Sequence, residues 1–255
     1  MLKEEIIGIM GAMEEEVKEI LNLMSSTQKQ TIGGREYYNG LIGNKKVVVV
    51  FSRWGKVAAA ATAAALIYHF HITQLLFTGV AGAIDRHLQQ GDVVIGETLF
   101  QHDLDARPFF QQFEIPLLQK SGISPSADEV NIAYERLKKL FQSKAIQDSV
   151  STNILNAFYI TQPIVRKGII ASGDCFFESL KQKNELTHKL PNVLCVEMEG
   201  AAVAQVCYEN GIPFLVIRII SDTADEKAAG DFQTFIEQIA GKFSQLIVKE
   251  LLINA

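Results

Sequence analysis

The side chains best equipped for chemistry sit in the stretch LCVEMEGAAVAQVCYENGIPFLVIRIISDTAD, residues 194–225. Glu197 and Glu199 close one apolar run, while Ser221 and Asp222 close another that Arg218 interrupts. Paired carboxylates suit sugar hydroxyls, because each oxygen accepts hydrogen bonds and two can grip adjacent hydroxyls. A charge inside an apolar run is out of place in a purely structural strand, which draws Arg218 toward the same region as Asp222. The plainer reading of Glu197 and Glu199, that they complement the dipole of a following helix, stays open at this point. A second acidic group, Glu14-Glu15-Glu16, follows Gly11-Ala12-Met13. Successive helical residues point about 100° apart, so the three cannot share one task. Their spacing does not choose among them.

The elements that must hold these groups alternate between apolar runs and helical patterns. Leu194–Val196 reads as a short strand, and Gly200–Asn210 as a small-residue helix stopped by Gly211 and Pro213. Phe214–Ile220 reads as a strand covered on both faces. Near the N-terminus, Ile6–Met10 forms a strand, and Val17, Ile20, Leu21 and Met24 continue an amphipathic helix. Val47–Phe51 is a buried strand followed by the Ala-rich helix Val57–Leu66, and Gln74–Phe77 is a strand ending at T-G-V-A-G-A, whose small residues let backbone approach a ligand. After a Gly91-Asp92 turn come a strand to Ile95, an amphipathic helix Asp128–Phe141, and a strand Lys167–Ala171 leading into S-G-D-C-F-F. A polar loop, Glu226–Asp231, precedes Phe232 and the closing helix Gln233–Leu252. The class is α/β. In open α/β sheets ligands bind beyond the carboxyl ends of strands, where Glu197, Glu199, Ser221 and Asp222 fall.

A chain of 255 residues with 48% hydrophobic composition can bury a large core, and without a linker, repeat or low-complexity run it reads as one domain, 1–255. Net charge of −5 without a basic cluster argues against nucleic acid as a partner. No apolar stretch reaches membrane-spanning length, and the N-terminus lacks the pattern of a signal or transit peptide. Cys175, Cys195 and Cys207 lack CxxC spacing and sit in apolar or small-residue company, so they read as reduced, buried thiols of a cytoplasmic protein. The first turn lacks the G-x-G-x-x-G spacing of a dinucleotide site. His102, Asp103 and Asp105 could be offered as metal ligands, but no ligand spacing recurs elsewhere. The expectation is no metal and no cofactor.

Taken in order, G-A-M-E-E-E-V, G-K-V-A-A-A, T-G-V-A-G, S-G-D-C-F, V-E-M-E and S-D-T-A-D cover nearly the whole chain and resemble the 5′-methylthioadenosine/S-adenosylhomocysteine nucleosidase family. The resemblance implies a nucleoside phosphorylase-like three-layer α/β/α sandwich around a large mixed, mostly parallel sheet. It implies hydrolysis of an N-glycosidic bond in a homodimer, with a small-molecule nucleoside as partner. By that likeness Glu16 deprotonates water, Asp222 assisted by Ser221 protonates the purine N7, and Arg218 organises water and acids. Glu199 would bind the ribose hydroxyls with Met198 beside the sugar, and Glu197 would support the cluster. Phe176 would stack on adenine and Phe177 would read its edge through backbone groups. Met13, Val80, Ala81, Gly82 and Val196 would line the pocket, Trp54 would wall the sugar or 5′-substituent, and Phe232 would contact the base or 5′-group. Phe109, Phe113 and Pro116 would cap the neighbouring subunit's pocket. The chain departs from the family pattern at Arg53 and Trp54, where glycine and an aliphatic residue are usual, and at Val80, where many members carry serine. Arg53 keeps a phosphorylase open, since a cation there could serve phosphate. A futalosine-type hydrolase and a non-catalytic nucleoside-binding protein on the same fold also stay open.

Overall fold

The structure, a computed structural model, describes residues 4–224 and 228–254. In chain order, β1 (Ile6–Gly11), α1 (Glu14–Leu21), β2 (Met24–Ile32), β3 (Arg35–Ile42) and β4 (Lys45–Phe51) come first. Then follow α2 (Lys56–Tyr68), β5 (Gln74–Ala83), β6 (Val93–Gln101), β7 (Gly122–Ile123), α3 (Ala127–Gln142), α4 (Ala145–Ser149) and α5 (Thr152–Ala157). The last third holds β8 (Val165–Ser172), α6 (Leu180–Lys189), β9 (Val193–Glu197), α7 (Gly200–Glu209) and β10 (Phe214–Asp222). Finally α8 (Ala228–Phe235) passes through a π-helical turn, Ile236–Ala240, into α9 (Gly241–Leu252).

Valine and isoleucine runs make the sheet, because branched side chains pack well on a pleated surface buried on both faces. From one edge the strands run β2-β3-β4-β1-β5. Beyond β5 the sheet closes on itself: β5 pairs with both β10 and β9, and the circuit is completed by β9-β8-β6-β10. Parallel ladders join β4, β1, β5 and β10, so the carboxyl ends of β1, β5 and β10 emerge together. Gly11 lies opposite Thr78, and Gly79 opposite Arg218. In the parallel pair β8–β9, Ser172 lies opposite Glu197.

Two cores flank the sheet. One buries Val17 and Ile20 of α1, Val130 and Leu137 of α3, and Phe243 and Ile247 of α9. The other buries Ala59, Ala63 and Leu66 of α2 with Ala201, Val203 and Ala204 of α7. Alanines let these two helices approach each other and the sheet closely. The result is the expected α/β/α layering on a large mixed sheet. Among the described residues no helix is long and apolar enough to cross a membrane.

Several boundaries differ from the sequence reading. The first helix stops at Leu21, and Met24 opens β2, whose residues from Ser25 to Thr31 are exposed. A polar edge strand carries no apolar alternation for the eye to find, and lysine and glutamine on it discourage pairing with another sheet. The strand expected at Gln74–Phe77 runs on through T-G-V-A-G-A to Ala83, kept in the sheet by β10 and β9. Part of the expected polar loop 226–231 is helix from Ala228 onward, and the rest, with Asp225, lies outside the described residues. Cys195 and Cys207 are buried, but Cys175 is exposed.

Candidate active site

Arg218 is completely buried in β10 and is the charge around which the acids gather. Its Nε and Nη2 donate to Glu197 Oε2 at 3.1 and 2.6 Å, and its guanidinium lies 4.1 Å from the centre of the Phe77 ring. Nη1 donates to the carbonyls of Phe77 and Ile217. A buried guanidinium is tolerable only with its donors paired, and here they are. Glu197 Oε2 also accepts the amides of Glu199 (3.2 Å) and Gly200 (2.8 Å), at the start of α7. With Ser172 Oγ donating to Oε1, the carboxylate of Glu197 is fully engaged by protein. It lines the cavity but serves as an anchor for Arg218.

Glu16 is also fully buried. It occupies the third position of α1, and its Oε2 reaches back to the amides of Ala12 (2.9 Å) and Met13 (3.0 Å). This backward reach is the geometry of a capping box, and it separates Glu16 from Glu14 and Glu15, which stay nearer solvent. Oε1 has no hydrogen-bond partner among the described residues. Burial raises the carboxyl pKa from 4.5 to about 7, with Arg218 and the two amides restraining the rise. Glycine at position 79 makes this crowding possible: a Cβ there would stand 3.3 Å from Glu16 Oε1 and 3.4 Å from Arg218 Nη1.

Glu199 heads α7, buried, with Oε1 accepting the amide of Gly55 at 2.8 Å. Burial and the nearby Glu197 push its pKa upward, opposed by the Gly55 amide and Arg218. At the end of β10, Ser221 Oγ donates to Asp222 Oδ2 at 2.7 Å, and the Ala224 amide donates to Oδ1 at 2.8 Å. Lys183 Nζ ties the backbone carbonyls of Ala83 and Thr223 together, fixing the chain as it leaves the strand.

These groups border a cavity of about 260 Å³. Its walls are Met13, Trp54, Val80, Ala81, Gly82, Phe176, Phe177, Val196, Glu197, Met198, Glu199, Ser221, Asp222 and Phe232, together with Ala12, Cys175 and Ala224. Every pocket-lining residue expected from the sequence is therefore on one surface. Glu16 and Arg218 stand behind it rather than in its lining. Phe176 and Phe232 meet edge to face, centroids 5.6 Å apart, and form an aromatic clasp at the mouth. Trp54 is 57% exposed at the rim, its Nε1 donating to Met13 Sδ. Ala12, Cys175 and Ala224 were not expected; small or unremarkable side chains give no sequence signal of a wall.

Other candidates fall elsewhere. Arg53 donates to the Gly34 carbonyl at 2.6 Å and faces a separate cleft with Glu14 and Glu15, not the cavity. Phe113 is buried against Phe100 in its own chain's core and is not available to cap a neighbour. Phe109 and Pro116 are exposed. His102, Asp103 and Asp105 do not converge: Asp103 pairs with Lys56 and Asp105 with Arg107.

Known proteins resemble this chain over nearly its whole length. The family model described as the phosphorylase superfamily matches residues 6–253. A 5′-methylthioadenosine/S-adenosylhomocysteine nucleosidase of Staphylococcus aureus is 33% identical over 245 residues, covering 95% of this chain and 97% of the relative. The S-adenosylhomocysteine nucleosidase of Streptococcus pyogenes, solved with 5-methylthiotubericidin, superposes with a TM-score of 0.85 at 34% identity, covering 99% of this chain and 98% of that one. The futalosine hydrolase of Helicobacter pylori superposes with a TM-score of 0.81 at 32% identity, over 97% of each chain. The chain thus belongs to the phosphorylase superfamily and, within it, to the 5′-methylthioadenosine/S-adenosylhomocysteine nucleosidases.

Proposed function

We propose that this protein hydrolyses the N-glycosidic bond of 5′-methylthioadenosine and S-adenosylhomocysteine, releasing adenine and the 5-thio-substituted ribose. It is an enzyme, an N-glycosidic hydrolase. The observation that carries the reading is Glu16, a buried carboxyl poised near neutrality with one oxygen unengaged, backed by Arg218 beside an otherwise apolar, acid-edged cavity.

Breaking the bond makes the sugar carbon cation-like while the purine accepts a proton. Asp222, oriented by Ser221 and the Ala224 amide, is the acid toward N7. Glu199, held by Gly55, takes the ribose hydroxyls beside Met198. Glu16 takes the proton of the attacking water, and its pKa of about 7 suits a base working near neutral pH. Phe176 and Phe232 supply the flat apolar surface a purine requires. Water rather than phosphate is the nucleophile this site favours. Among the described residues, no lysine or arginine lines the cavity to hold a phosphate dianion. Arg53, which alone argued for phosphate, points away. Homodimer formation and a cytoplasmic location belong to the same reading; exposed Phe109 and Leu117 and three free thiols support them.

The test is incubation of the purified protein with methylthioadenosine, with and without phosphate, following both products. Adenine and methylthioribose are expected at equal rates in both. Adenine formed only with phosphate, alongside a sugar 1-phosphate, would replace the hydrolase by a phosphorylase. A far higher rate on futalosine would reassign the preferred 5′-substituent.

A further inference from the structure

We infer that Ser172 is a positioning residue for the reaction, holding Glu197, and through it Arg218, in the orientation that prepares Glu16. The inference rests on the nucleosidase reading above. Ser172 closes β8, is wholly buried, and opens the S-G-D segment that leads to the base-stacking Phe176. Its hydroxyl has two engagements. It donates to Glu197 Oε1, and it accepts the amide of Ala201, in the first turn of α7, at 2.7 Å. The backbone is locked on both sides: the Gly173 amide donates to the Glu197 carbonyl at 3.0 Å, and the His102 amide to the Ser172 carbonyl at 2.9 Å.

The two oxygens of Glu197 have divided duties. Oε2 receives both Arg218 contacts and the amides of Glu199 and Gly200. Oε1 is held, among the described residues, by Ser172 alone. Without that hydroxyl the carboxylate is held at Oε2 alone and can pivot there, so the Arg218 contact at 2.6 Å loses its fixed direction. Arg218 is the charge that keeps Glu16 from becoming still harder to ionise. The other groups facing Glu16 are Glu15 on α1, Glu199 at the head of α7 and the amides of Ala12 and Met13; of these, the acids oppose its ionisation and the amides favour it. A less well-placed Arg218 therefore moves the Glu16 titration upward. A hydroxyl that merely filled its own hydrogen bonds would leave that titration where it is.

The experiment compares Ser172→Ala, Ser172→Cys, Glu197→Gln and the Ala/Gln double variant with the wild-type enzyme on methylthioadenosine across pH. Each is also checked for adenine binding and thermal unfolding. Loss of a hydrogen bond to a charged group predicts that Ser172→Ala lowers kcat about 10- to 100-fold, with KM within about threefold. The acid limb of kcat/KM moves up by about half to one pH unit. Ser172→Cys, close in size and a weaker donor, falls between and carries the test if the alanine variant does not fold. In the Glu197→Gln background the Ser172→Ala change costs less than about threefold, because the two act as one unit. An unmoved acid limb, or a full multiplicative loss in the double variant, overturns the inference. A wild-type enzyme that releases no adenine would instead strike at the function itself, so the two failures are distinguishable.

Discussion

In the proposed reaction, Glu16 ties stability to turnover. Its folded pKa of about 7 lies above the ordinary 4.5, so between those values the folded chain binds a proton that the unfolded chain has released. Stability contributed by this group is full below pH 4.5 and declines as pH rises toward 7, by about 3 kcal/mol in all. Glu16→Gln removes that slope. Denaturant titrations at pH 5 and pH 8 should find the variant gaining on the wild type at the higher pH, and an unchanged difference would show that Glu16 is not buried as described. The same substitution should cut kcat about 100- to 10,000-fold while adenine binding persists. In the wild type, kcat/KM should fall as pH drops below about 7, because the base must be ionised to act. Asp222→Asn keeps the shape and the partner Ser221 but has no proton of the right acidity to give. Single-turnover assays should find substrate bound and almost no adenine released, and near-normal turnover would sink the assignment.

At the scale of elements, the proposed catalysis depends on how helices are seated rather than on the helices themselves. α1 carries Glu16 at its start and packs along α9, where Gly241 lets the two come close. A Cβ at Gly241 would lie 2.6 Å from the Glu15 carbonyl oxygen and 3.0 Å from Glu19 Cγ. Backbone cannot give way as a flexible side chain can, so Gly241→Ala should destabilise by about 1–3 kcal/mol. It should also lower kcat through displacement of α1, which activity measured well below the melting temperature would reveal; full activity would mean α1 is free to slide. The start of α2 works in the opposite sense, delivering consecutive amides to two carboxylates, Gly55 to Glu199 and Lys56 to Asp174. Just before it, Arg53 holds φ at +67°, a left-handed conformation that costs a side-chain-bearing residue about 1 kcal/mol. Glycine would adopt that conformation without the cost. Arg53→Gly should raise stability by roughly that amount with kcat/KM unchanged, whereas lost turnover would return Arg53 to the active site.

For the molecule as a whole, the closed circuit β5-β9-β8-β6-β10 brings segments separated by more than a hundred residues around one cavity. Outside it, Phe109 and Leu117, each 87% exposed, are the most exposed large apolar side chains among the described residues. Light scattering should report a mass of two chains. Replacing both residues by aspartate should shift it toward one chain and raise KM; an unaltered dimer would place the interface elsewhere.

The amino-acid sequence alone determined the class of fold, because branched apolar runs and helical periodicity are local signals. It also determined the acid inventory and, through the order of its motifs, the family. Glu199, Asp222 and Phe176 were legible because each sits at the end of a strand or in a motif. What only the tertiary structure decided concerns partners distant in the chain. Burial, not spacing, selects Glu16 over its neighbours, and its reach to Ala12 and Met13 was hidden because Met13 stands where a serine or threonine would advertise a capping box. Arg53 looked like a ligand for phosphate until backbone geometry turned it outward, and Phe113 looked like part of a cap until it was found in its own core. Ser172 stood in the S-G-D-C-F motif without a task of its own, since a hydroxyl acquires meaning only from what lies 25 residues away across a strand pair. Local propensity acts over a turn or a strand, whereas desolvation and charge pairing act through space, and those two set the chemistry of this site.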